Sequence, residues 1–258
     1  MTVNQSLGGR PVLRVRPPAG GERTGRTVVL QLHGGGYRAG SPEPSRPLAA
    51  RLSRLTGAEV MLPAYRLAPA HPFPAAVADG LGAYADLLRG GVPADRIAVL
   101  GESAGGGLAL AVLLEAHKAG LPMPAAAVGL SPWLDLTLES AAFARCAATD
   151  PVLDRPSLRH SASLYLAGAD PRTPAASPLF ADATALAALP PVLLQASRAE
   201  VLADDAERFG ARMTAAGGDC RVEMWDGTTH CWQLAVDRLP EAVAAVGSVA
   251  EFLTEHLA

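Results

Sequence analysis

The feature that most restricts this chain is the regular exchange of two periodicities along it. Short β-branched or apolar runs at residues 12–15, 27–32, 59–62, 97–100, 125–130, 192–196 and 221–225 read as strands. Between them lie helix-compatible stretches at 47–56, 75–89, 104–118, 204–216 and 240–256, several closed by glycine. A strand that is followed by a helix before the next strand can return parallel to the first, whereas a short turn allows only a hairpin. The pattern therefore predicts an α/β fold, a mostly parallel central sheet flanked by helices on both faces. A chain of 258 residues with 49% hydrophobic content has enough apolar surface for one sizeable core, so residues 1–258 are expected to form a single domain.

The segment 132–189 departs from this rhythm. Strands stop there, and Pro151, Pro156, Pro171, Pro174 and Pro178 divide it into short helical pieces such as 157–166. It reads as a lid or insertion between consecutive strands, and insertions at the carboxyl edge of such a sheet often wall a ligand site.

Charge and cysteine usage narrow the partners. A formal net charge of −3 provides no basic field for nucleic acid. The first 26 residues lack the pattern of a secretory leader, and no apolar run reaches the ~18 residues that a membrane helix needs, so a cytoplasmic protein without membrane partners is expected. Cys146, Cys220 and Cys231 are odd in number and lack CxxC spacing, which argues against a disulfide framework or a zinc site.

Within the alternating framework, Gly101-Glu102-Ser103-Ala104-Gly105 follows the run 97–100 and opens the helical stretch 104–118. A strand-to-helix turn this tight leaves room only for small residues beside the serine, and it presents the hydroxyl at a helix N-terminus that favours developing negative charge. The sequence G-x-S-x-G alone is a weak signal in a chain with 26 glycines. Its position makes Ser103 the candidate nucleophile; the bland alternative is a helix N-cap serine on a glycine-rich turn.

His33-Gly34-Gly35-Gly36 closes the run 27–32. A tetrahedral oxyanion needs fixed backbone N–H donors, and glycines let a loop approach that closely. Gly35 and Gly36, with the N–H of Ala104, are the candidate oxyanion donors, and Gly34 is the reserve. His33 is expected to organise the loop by hydrogen bonding. For the base, the chain order in this kind of site is serine, acid, histidine, which sets aside His33, His71, His117 and His160. His256 lies two residues from the end of the sequence, where a frayed helix cannot hold an imidazole in position. His230, in the loop after the run 221–225, is the candidate general base. The acid belongs after the run 192–196, where Glu200 is placed to accept the second ring N–H of that histidine. Asp204 competes, although its place at the start of a helix gives it a sufficient role as an N-cap.

Together LHGGGY at 32–37, YRLAPAHPFPAA at 65–76, GESAGG at 101–106, AEVLADD at 199–205 and WDGTTHCW at 225–232 resemble the bacterial hormone-sensitive-lipase family of esterases, family IV, of the α/β-hydrolase fold. The AEVL form of the acid segment is similar to acetyl hydrolase and monoterpene ε-lactone hydrolase members. The resemblance implies a serine hydrolase of carboxylic esters or lactones that forms an acyl-enzyme on a Ser-His-Glu triad, with no cofactor, a small-molecule substrate and pairing into a homodimer through an edge strand. Two features depart from the family pattern. Members usually carry N-terminal lid helices, whereas 26 residues precede the first core strand here. A reduced lid is therefore expected, with a wide cleft, tolerance of bulky esters and a shallow preference for chain length. In addition, Ser197-Arg198 stands where the family more often has glycine and serine. Acyl transfer or natural-product tailoring on the same triad is the alternative, followed by a non-catalytic small-molecule receptor, since the fold alone does not prove chemistry.

Overall fold

The computed structural model describes residues 6–21 and 25–258. The expectation of no leader falls partly on residues 1–5 and 22–24, which lie outside the described residues. The strands are β1 (Ser6–Leu7), β2 (Arg10–Val15), β3 (Val28–Leu32), β4 (Glu59–Pro63), β5 (Ile97–Glu102), β6 (Ala126–Leu130), β7 (Val192–Ser197) and β8 (Cys220–Trp225). They form one eight-stranded sheet in the order β1-β2-β4-β3-β5-β6-β7-β8, antiparallel at β1/β2 and β2/β4 and parallel from β4 to β8. This is the mostly parallel sheet expected from the alternation, in the arrangement that the resemblance to α/β-hydrolases implied. The two-residue β1 was not anticipated, because a run so short carries no periodicity.

Strand alternation divides the core in two. Val28, Leu30, Leu32, Ile97 and Val99 share one cluster with Tyr84 and Leu87 of α2 (Ala75–Arg89), Leu108 and Val112 of α3 (Ala104–Lys118), and Phe209 and Met213 of α7 (Ala203–Ala215). Val29, Val60, Leu62, Ala98 and Leu100 face the other way, onto Leu48 and Leu52 of α1 (Arg46–Thr56) and Val246, Val249 and Leu253 of α8 (Pro240–His256). Strands β3 to β7 are buried along their whole length, as strands covered on both faces must be. Helix α3 is apolar on every side from Leu108 to Leu114 because it is enclosed on all sides, with the sheet beneath it and α2 beside it.

The segment between β6 and β7 folds into α4 (Ala142–Arg145), α5 (Arg155–Leu166) and α6 (Ala183–Ala187). Asp154 caps α5 by accepting the Ser157 N–H at 2.7 Å, with Pro156 in the first turn, where a missing N–H costs nothing. Tyr165 of α5 stacks on Tyr37 at a centroid separation of 3.9 Å. This stack ties the segment to the loop that follows β3.

Candidate active site

The carboxyl ends of β3, β5, β7 and β8 bring the sequence candidates together. At the end of β5 the chain turns into α3 through Ser103, whose φ of 55° and ψ of −123° lie outside the ordinary basins of an L-residue. The strain is held in place from both sides: the Ser103 N–H donates to the Leu130 carbonyl at 2.9 Å, and the Ser103 carbonyl accepts from Gly106 and Trp133 at 2.9 and 3.0 Å. A Cβ on Gly101 would lie 2.0 Å from the Gly105 oxygen, and one on Gly105 would lie 2.0 Å from the Leu32 oxygen. Only glycine fits these two positions. The Ser103 side chain makes no capping bond to α3, so it is not acting as an N-cap.

The Ser103 Oγ lies 2.9 Å from His230 Nε2, and His230 Nδ1 lies 2.5 Å from Glu200 Oε2. Glu200 is fully buried, and its other oxygen accepts the Ser197 N–H at 2.8 Å. The histidine loop is fastened at two points. Ser197 Oγ donates to the Thr228 carbonyl at 2.8 Å, and the Cys231 N–H donates to Ser131 Oγ at 3.1 Å. The departure at Ser197-Arg198 is therefore accommodated, since Ser197 orients the carboxylate and also holds the loop that carries His230. With Nδ1–H donated to a carboxylate, the neutral ring presents its Nε2 lone pair to the hydroxyl. Burial pulls the His230 pKa down, but Cys231 and the Glu200 carboxylate outweigh it and leave the imidazole well above its usual 6.5. The Cys231 Sγ lies 3.4 Å from Nε2; burial raises the pKa of that thiol and the neighbouring imidazole opposes the rise.

Asp204 has a different place from the one expected. The N-cap of α7 is Leu202, and Asp204 lies within the first turn. Its carboxylate accepts the Ala142 N–H at 2.8 Å and the Ser140 hydroxyl at 3.0 Å, and it pairs with Arg145. Asp204 is thus a clamp on the segment around α4 and not a helix cap. Its neighbour Asp205, which sequence reasoning passed over, is buried and accepts the backbone N–H groups of Leu134 and Asp135 at 2.9 and 3.0 Å. Nothing in the local sequence distinguishes it from an ordinary first-turn acid.

The glycine loop follows β3. Gly35 and Gly36 have φ of 119° and 61°, and a Cβ on Gly34 would lie 3.2 Å from that of Ser103, so the loop runs directly against the nucleophile turn. His33 is buried beside it, with Nδ1 donating to the Gly34 carbonyl at 2.8 Å and its ring stacked on Tyr65 at 4.2 Å. The Tyr65 hydroxyl donates to the His33 carbonyl at 2.6 Å. Burial lowers the His33 pKa, as suits a neutral ring that braces the loop.

A cavity of about 490 Å³ opens over these groups, lined by the glycine loop, Arg38, Glu102, Ser103, His230 and Cys231, and on its outer side by Val152, Leu153, Leu158 and Ser161. The outer wall is supplied by the segment 132–189. Among the described residues no group of three or more His, Cys, Asp and Glu side chains is arranged to hold a metal ion, and no helix is long and apolar enough to cross a membrane.

Comparison with known proteins matches residues 29–234 to the alpha/beta hydrolase fold family. The chain is 44% identical over 239 residues to an acetyl-hydrolase of Streptomyces hygroscopicus, covering 93% of this chain and 78% of that protein. Among solved structures it is similar to the esterase EstE5, soaked with p-nitrophenyl butyrate, at 42% identity and a TM-score of 0.93 over 98% of this chain and 83% of that one. It is also similar to an esterase from the bacterial hormone-sensitive lipase family, at 41% identity and a TM-score of 0.94 over 98% of this chain and 84% of that one.

Proposed function

Since the chain belongs to the hormone-sensitive-lipase family of α/β-hydrolase-fold esterases and is a carboxylic ester hydrolase, we propose that its chemistry runs through Ser103, His230 and Glu200 by way of an acyl-enzyme. The observation that carries this reading is the continuous relay from Ser103 Oγ to His230 Nε2 at 2.9 Å and from His230 Nδ1 to Glu200 at 2.5 Å. Ser103 Oγ attacks the ester carbonyl while Nε2 takes its proton, and Glu200 stabilises the imidazolium that forms. The backbone N–H groups of Gly35, Gly36 and Ala104 receive the oxyanion. The proton passes from Nε2 to the departing alkoxide, the alcohol leaves, and water activated by the same imidazole releases the acid.

The same steps open a lactone, with the leaving alcohol still tethered to the acyl group. We read the chain as one domain in which 132–189 walls a cleft for a small-molecule ester. We read the protein as cytoplasmic. The test is Ser103→Ala, assayed on acyl esters alongside labelling with a serine-directed phosphonate. Hydrolysis should fall by about 10³-fold or more at unchanged fold, and the label should be confined to Ser103 in the wild-type protein. Wild-type rates in the variant would overturn the mechanism.

A further inference from the structure

We propose that Arg38 recognises a carboxylate on the substrate, so that this esterase favours esters with an anionic group on one arm; the proposal rests on Ser103 being the reacting centre of the cavity. Arg38 stands two residues beyond Gly36 and lines the same cavity as Ser103 and His230. Its Nε donates to Ser161 Oγ at 2.8 Å, and Ser161 Oγ in turn donates to the Ser157 carbonyl at 3.0 Å. A Cβ placed on Gly36 would meet that same Ser161 oxygen at 3.0 Å, so the anchor of the guanidinium sits directly over the glycine loop. The cation is held beside the chemistry by a tether from α5.

Several arginines outside the cavity face carboxylates, as Arg66 faces Asp79 and Arg208 faces Asp135, while others, such as Arg155 and Arg212, donate to backbone carbonyls; what sets Arg38 apart is its place in the wall of the cavity that holds Ser103. Among the described residues Arg38 has the Ser161 hydroxyl as its hydrogen-bond partner and no carboxylate in ion-pair contact. The other ionisable groups of the cavity do not supply the missing charge. Glu102 is buried, is occupied by the Ser45 hydroxyl and the Gln31 amide, and has its carboxyl pKa raised by burial. His230 belongs to the relay just described, and the Cys231 sulfur lies against its ring. His33 is a buried imidazole whose pKa burial lowers, and the remaining walls are the glycine loop, serines and apolar side chains such as Val152, Leu153, Leu158 and Leu234. Tethering through Nε leaves the two terminal nitrogens as a planar fork suited to one carboxylate. A neutral ester gains nothing from that fork.

Two substrate pairs place the anion on either arm: phenyl hydrogen glutarate against phenyl valerate for the acyl side, and 4-acetoxybenzoate against 4-acetoxybenzamide for the alcohol side. The quantity to measure is the ratio of kcat/KM for the anionic member to that for the neutral one. In at least one pair, Arg38→Gln should lower this ratio by about threefold to tenfold, Arg38→Glu should lower it further, and Arg38→Lys should retain most of it. High salt should shrink the wild-type ratio towards that of Arg38→Gln. If Arg38 merely latches α5 to the loop, both members of each pair will slow together; unchanged ratios in both pairs overturn the proposal. A second readout does not depend on turnover. In a Ser103→Ala background, calorimetric binding of whichever anionic ester showed the effect, or of both if none is turned over, should weaken by the same factor when Arg38→Gln is added. Equal affinity in the two proteins would also overturn the proposal, whereas absence of turnover in the wild-type protein would count against the Ser103 mechanism alone.

Discussion

Glu200 and Asp204 are four residues apart and both are acidic, yet their partners separate their roles. Glu200 faces His230, while Asp204 faces Ser140, Ala142 and Arg145. Glu200→Gln should lower kcat by about 10³- to 10⁴-fold at near wild-type stability, because the ring loses the charge that stabilises its protonated form. Asp204→Asn should instead cost about 1–3 kcal/mol of stability, read from the urea midpoint, and leave most of kcat. A larger loss of kcat in Asp204→Asn than in Glu200→Gln would reverse the assignment. The pH profile gives a separate check. Catalysis needs the neutral imidazole, so kcat/KM should fall as pH drops through the His230 pKa, and the raised pKa places that limb above pH 6.5. In Glu200→Gln the residual activity should show the limb displaced to lower pH, since the stabilising charge is gone. An unmoved limb would mean that another group titrates.

The turn from β5 into α3 and the loop after β8 both use glycine, but packing makes these positions unequal. A Cβ at Gly105 meets the backbone oxygens of Leu32 and His33 at 2.0 and 2.4 Å, which strands cannot yield without breaking the sheet. Gly105→Ala should therefore cost more than about 3 kcal/mol or prevent folding, beyond the usual range for overpacking. Gly227 has a φ of 68° and open space around it, so Gly227→Ala should cost only the left-handed penalty of about 1–2 kcal/mol. Similar melting temperatures for the two variants would contradict this account. Asp205 makes the corresponding point for α7. Asp205→Ala strands two buried N–H groups and should destabilise by about 2–5 kcal/mol, whereas Asp205→Asn keeps an acceptor for both and should cost about 1 kcal/mol. Burial raises the Asp205 pKa well above the carboxylate range, so the neutral amide is a close mimic of the native group.

Across the molecule, the α1/α8 face of the sheet can be weakened without touching the relay. Leu253 is fully buried in that face, and Leu253→Ala should cost about 2–5 kcal/mol by chemical denaturation while kcat/KM below the transition stays at the wild-type value. A parallel fall in activity would show that the face transmits strain to the site. The fold was legible in the order of residues because hydrophobic periodicity is local. Strands such as 97–100 and helices such as 104–118 announce themselves within a dozen residues, and their alternation allows few sheet arrangements. The serine turn and the glycine loop were legible for the same reason, since each needs small residues at fixed offsets from a strand. What stayed hidden depends on contacts between distant parts of the chain. The clamp of Asp204 on Arg145 spans 59 positions, and the bond from Arg38 to Ser161 spans 123. No local pattern records which of two nearby carboxylates turns towards a histidine 30 residues further on, or whether an arginine finds a counter-charge. Those outcomes follow from how the segment 132–189 packs over the sheet edge, because the direction of a side chain and the burial of its charge exist only once the elements have come together.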